Sequence, residues 1–128
     1  MRSFHPVALI AMLCVTMIGC TKSTSTSSKP SADTPSFSLA WSEYPSWSVF
    51  GVAHEKGIID GDEGAMGPVE EKWGVDIVLK EADYDTCLTF YGSSQVDAVC
   101  MTNMDTLAPS LRREAVAILP TSTSVGAD

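Results

Sequence analysis

Apolar positions between Phe37 and Leu119 fall into two rhythms, short β-type runs and stretches with a helical period. The clearest block is Asp76–Asp105. Asp76-Ile77-Val78-Leu79 is a β-branched, apolar run, as expected of a strand buried on both faces. Tyr84, Cys87, Leu88 and Tyr91 then recur along one helical face, with Asp83 placed to cap the helix and Gly92 to stop it. Val96–Met101 predicts a second buried strand. Strands separated by a helix lie parallel, because an antiparallel pair needs only a tight turn.

The flanking pattern extends this unit. Phe37–Ser42 alternates and predicts a first strand, followed by a turn at Glu43-Tyr44-Pro45-Ser46. Trp47–Lys56 predicts a helix with Val49, Phe50 and Ala53 on one face and Gly57 at its end. Gly57–Gly67 holds four glycines and three acidic residues and reads as a solvated loop. Gly67–Gly74 predicts a short helix, with Pro68 in its first turn and Val69 and Trp73 packing it down. Thr106–Glu114 is a helical segment interrupted by Pro109, and Ala115–Leu119 reads as a fourth strand. The resulting order, β-α-α-β-α-β-α-β, implies an α/β fold with a parallel sheet and right-handed crossovers.

In open α/β sheets, ligands bind outside the carboxyl ends of the strands. Those of the central block carry Glu81–Asp85 and Thr102–Asp105. With the outer two strands, the ends gather Trp41 to Trp47, Asp83 to Asp85, Thr102 to Asp105 and Thr121 to Ser124 on one rim. The candidate ligand-binding residues are Trp41, Glu43, Tyr44 and Trp47, then Asp83, Tyr84 and Asp85, then Thr102, Asn103 and Asp105, then Thr121 and Ser122. Aromatic walls with hydroxyl, amide and carboxylate groups suit a small polar solute. Several also have a purely structural reading. Asp83 and Asn103 serve as helix caps, Asp85 and Asp105 favour helix N-termini, and Trp41 and Trp47 suit a core.

Catalytic and metal motifs are missing from the sequence. It has no GxSxG elbow, no histidine near the rim serines and no glycine-rich phosphate motif. His54-Glu55 begins like HExxH, but Ile58 stands where the second histidine would be, so His54 reads as an exposed helix end. Without a CxxC or a Cys/His cluster, no metal or other cofactor is expected. Cys87 and Cys100 read as buried thiols, the alternative being a disulfide if their Cα atoms approach within about 7 Å.

The N-terminal third changes the setting. Met1–Gly19 resembles an export signal, with Arg2 at its start and an apolar stretch over Val7–Ile18. That stretch is shorter than the roughly 20 residues that span a bilayer. Met17-Ile18-Gly19-Cys20 resembles a bacterial lipobox, which makes Cys20 the expected lipidation site and membrane anchor; an ordinary cleaved signal peptide is the alternative. Residues 20–36 follow as a Ser/Thr-rich linker that carries almost no apolar surface. The folded part is then 37–128, exported and held on the periplasmic side by lipid. Without Arg2, seven basic residues face sixteen acidic ones, a net charge of −9. Nucleic acid is a poor partner for such a chain, and a neutral or cationic small ligand is tolerated better than an anion.

Four stretches resemble the substrate-binding proteins of ABC transporters, in the nitrate, sulfonate and taurine branch. They are Trp41–Gly61, Gly67–Leu88, Asp97–Asp105 and Ala117–Asp128. The nearest likeness is to urea-type binding proteins encoded beside urea carboxylase genes. The resemblance implies an incomplete first lobe of a type II periplasmic-binding-protein fold, an N-terminal fragment of a two-lobed clamp. It also implies a monomeric, non-enzymatic solute binder that serves an ABC permease. A urea- or guanidine-like solute fits the rim, whereas nitrate or sulfonate would want basic residues that the rim lacks. A thiamin-precursor binder of the same fold, an exported carboxylate-dependent enzyme and a non-functional remnant are the other readings.

Overall fold

In the computed structural model, which describes residues 27–108 and 112–123, the alternating run Ser36–Trp41 is the central strand β1. The expected signal segment, Cys20, Pro109 and the tail from Ser124 lie outside the described residues. After β1 come α1 (Val49–Glu55), α2 (Pro68–Trp73), β2 (Asp76–Glu81), α3 (Tyr84–Gly92) and β3 (Ala98–Val99), then a 3-10 turn at Asp105–Leu107. Among the described residues the sheet has three parallel strands in the order β2-β1-β3. Its register runs from Ser36↔Asp76 to Trp41↔Glu81 on one side, with Leu39↔Ala98 and Ala40↔Val99 on the other. The chain has a small α/β architecture.

Period-two alternation in β1 divides the core between the two faces of the sheet. Ala40 packs with Cys87, Tyr91 and Val96 beneath α3. Trp41, with Leu39 on the same face, packs with Trp47, Cys100, Phe50 and Leu79. Both cysteines are free and buried. Burial raises the Cys87 thiol and pushes Cys100 up to about 11, so neither is a thiolate at neutral pH. β3 is short, but its attachment continues past both ends. Asp97 N donates to Ser38 O at 3.1 Å and Cys100 N to Ala40 O at 2.9 Å.

The expectations fail where a side chain was asked to pack and a polar group does the work instead. Trp73 is 71% exposed, with Lys72 Nζ 5.5 Å above its ring, and Val49 and Val69 are exposed as well. Helix α2 is held by Glu70, which is 1% exposed. Glu70 Oε2 accepts from Asp60 N at 2.6 Å and Gly67 N at 2.7 Å, and Oε1 accepts from Ile77 N at 2.8 Å. One carboxylate thus ties the 57–67 loop to the start of β2. That loop is therefore not solvated throughout: Gly61, Met66 and Gly67 are buried, and Met66 bridges to Ser28 of the expected linker. His54 is half-buried, with Nδ1 enclosed against Gly61, and is not an exposed helix end. Gly92 stays helical, and Ser94 takes the left-handed conformation at φ 60° instead.

Two expected elements after β3 do not form among the described residues. Ala108, next to Pro109, has ψ 125°, the extended conformation a following proline enforces, so the turn at Asp105–Leu107 does not grow into a helix. Ala115–Leu119 pairs with no described strand, and Val116 and Ile118 are each 83% exposed. Its two ends are pinned elsewhere. Arg113 donates to Val96 O at 2.8 Å with its guanidinium 4.3 Å from the Tyr91 ring, and Ser122 Oγ lies 2.7 Å from Ser46 Oγ. A strand needs a neighbouring edge for its backbone groups as well as apolar composition, and here none is engaged. The rim is consequently built from three strand ends and not four.

Candidate functional site

The three strand ends enclose an open cleft of about 1050 Å³ lined by Ser42, Glu43, Tyr44, Trp47, Glu81, Ala82, Asp83, Tyr84 and Thr102. Each group of lining residues follows one strand: Ser42–Trp47 follows β1, Glu81–Tyr84 closes β2, and Thr102 lies past β3. Because β2 and β3 flank β1 on opposite sides, the chain switches direction across the sheet here, and such points open a crevice between diverging loops.

An aromatic row forms the floor. Trp47 stacks on Tyr84 with ring centroids 5.2 Å apart and planes 12° apart, and Tyr44 leans on Trp47 at 5.0 Å and 42°. The turn that carries Tyr44 is closed by Trp47 N and Ser48 N, which donate to Tyr44 O at 2.8 and 2.9 Å. Tyr84 is fixed at its far end. Its hydroxyl donates to Asp105 and accepts from Thr102 N at 3.0 Å, while Thr102 Oγ1 donates to Asp105 at 2.5 Å. Burial and, after it, the Asp105 bond raise the Tyr84 hydroxyl above its ordinary pKa, so it stays protonated at neutral pH. The hydroxyls of Thr102 and Tyr84 hold Asp105 below the usual carboxylate range.

Of the twelve residues expected at the site, six line the cleft: Glu43, Tyr44, Trp47, Asp83, Tyr84 and Thr102. Trp41 does not. It is buried beneath the floor, with its ring against Gly51 and its Nε1 enclosed without a partner. Asp105 acts behind Tyr84, and Asp85 is exposed on the first turn of α3, outside the lining. Asn103 is exposed on the turn, where its carbonyl accepts from Thr106 Oγ1 at 2.6 Å. Thr121 and Ser122 sit outside the lining too, with Ser122 beside Ser46. Asp83 lines the cleft and also caps α3, its Oδ1 accepting from Thr86 N at 3.0 Å and its Oδ2 from Thr86 Oγ1 at 2.5 Å. These bonds, chiefly the hydroxyl's, lower its pKa.

Ser42, Glu81 and Ala82 line the cleft without having been among the candidates. Glu81 had a signal in the sequence, since it opens the Glu81–Asp85 stretch just past the apolar run of β2, and the pairing Trp41↔Glu81 makes it the last residue of that strand. Compared with known protein families, curated proteins and solved structures, the chain matches none. What the arrangement can do follows from its own chemistry. It offers one exposed aromatic face, hydroxyl groups and carboxylates, and no Lys, Arg or His among the described residues lines it. Such a cleft can hold a small polar solute by stacking and hydrogen bonding.

Proposed function

We propose that this chain forms part of the first lobe of a solute-binding protein with a type II periplasmic-binding-protein fold, serving an ABC importer. It captures a small nitrogen-rich solute, urea- or guanidine-like, and presents it to a permease while anchored by lipid at Cys20. No covalent step is involved. The observation that carries this reading is the aromatic-floored cleft at the carboxyl ends of β1, β2 and β3, at the reversal of strand order. Its acid-rich lining favours a neutral or cationic solute over nitrate or a sulfonate.

Thermal melting of the full chain with urea, guanidinium, nitrate, taurine and a thiamin-precursor pyrimidine tests the reading. A solute present at about 100 times its dissociation constant should add roughly 2.7 kcal/mol of stability. Stabilisation by urea or guanidinium, without consumption of either, is the expected result. Stabilisation by the anions alone, or by none of the panel, would sink it.

A further inference from the structure

Acidic side chains at the cleft divide by whether their oxygens are already engaged. Asp83 accepts from Thr86 at both oxygens, and Asp105, which lies outside the lining, accepts from Tyr84 and Thr102 at Oδ2. Among the described residues no hydrogen bond reaches the side chain of Glu81 or Glu43, although both line the cleft. Glu81 is the better fixed of the two. It is the last residue of β2, in register with Trp41, and the next backbone N–H, of Ala82, donates to Trp41 O at 3.1 Å. Glu43 sits on the loop two residues past β1. A carboxylate on a laddered strand keeps its position better than one on a loop.

We infer that Glu81 is the residue that sets the charge of the solute, binding the N–H edge of a small organic cation whose face rests on Tyr44. This rests on the solute-binding reading above and narrows it to cations. Tyr44, 54% exposed, is the aromatic face open to solvent, since Trp47 is covered between Tyr44 and Tyr84. A carboxylate beside an aromatic face gives a planar N–H cation both charge-assisted hydrogen bonds and a cation–π contact. A neutral solute receives neither charge term. Glu43, across the loop, adds the same sign of potential.

The test is a tryptophan-fluorescence titration of the full chain with millimolar guanidinium chloride, and separately with urea, at constant ionic strength. The variants are Glu81→Gln and, as a control outside the lining, Asp85→Asn, each checked for folding by circular dichroism. Guanidinium should bind the unmodified chain more tightly than urea does. Glu81→Gln should weaken guanidinium by about tenfold and leave urea within about twofold, as loss of one charge-assisted contact requires. Asp85→Asn should change neither. Undiminished guanidinium binding by Glu81→Gln, or a preference for urea in the unmodified chain, overturns the inference and leaves the solute-binding reading standing. Binding of neither probe to the unmodified chain overturns both.

Discussion

Replacing Glu70 with alanine should cost more stability than any substitution in the cleft. Its carboxylate serves three backbone N–H donors, from Asp60, Gly67 and Ile77, at 2.6 to 2.8 Å and in full burial. Bonds to a charged acceptor contribute about 1.5–3 kcal/mol each, but charged networks do not add linearly, and water enters part of the vacated space. Each backbone donor left without its partner costs about 1–3 kcal/mol, and with partial relief by water we expect about 3–5 kcal/mol in all. A domain of this size has about 5 kcal/mol to lose, so Glu70→Ala should melt near room temperature or not fold cooperatively. Glu70→Gln keeps the shape and one acceptor oxygen, and should fall between the two. Thermal melts followed by circular dichroism are the right assay, because urea and guanidinium are candidate ligands as well as denaturants. A Glu70→Ala protein within about 1 kcal/mol of the unmodified chain would refute the assignment of α2 and its loop to this one side chain.

Two further predictions concern the rim and its acid response. Asp105→Asn should leave the fold intact, cost about 1 kcal/mol because solvent reaches the carboxylate, and alter Trp47 emission as Tyr84 loses its anchor; unchanged emission would disconnect Asp105 from the aromatic floor. Asp83, Asp97 and Asp105 all have folded-state pKa values below the ordinary 3.8, for Asp97 through the Ser38 backbone N–H and then its hydroxyl. Groups depressed in this way contribute stability that is fully present above their unfolded value and is lost as pH falls through the folded one. Melting temperature should therefore fall as pH drops below about 4, with a shallower fall in Asp97→Asn; a melting temperature that holds or rises from pH 4.5 to 2.5 would contradict this.

Sequence legibility tracked how local the governing interaction is. The β2–α3–β3 unit was readable because each element announces itself within a few residues: the Ile77-Val78-Leu79 run, the Asp83 cap, and the Cys87–Tyr91 face. The aromatic half of the cleft was readable for the same reason, since Tyr44 and Trp47 sit on the turn that follows a plainly alternating strand. Glu70 was not. Its place three residues after Gly67 suits the capping bond to Gly67 N, but the donors from Asp60 and Ile77 lie 10 residues before it and 7 after it, and no local pattern marks those. The Ala115–Leu119 strand failed because composition reports what a strand would bury, whereas pairing depends on an edge elsewhere in the fold.

Engagement of side chains decides more about this cleft than their identity does. By type alone, Asp83, Asp105 and Glu81 are interchangeable anions at one rim. The structure uses Asp83 to begin α3, with one bond from Thr86 at each oxygen, and uses Asp105 Oδ2 to hold Tyr84 and Thr102. A solute that drew either aspartate away from these donors would loosen a cap or the aromatic floor, and both cost stability. Glu81 carries no such obligation among the described residues, and its strand position fixes its backbone while its carboxylate lines the cleft. A fixed backbone with an unengaged carboxylate favours recognition, because only the rotamers of the side chain remain to be ordered on binding. The same logic removes Trp41 from the contact surface: a ring closed against Gly51 supports the floor and cannot also be the floor.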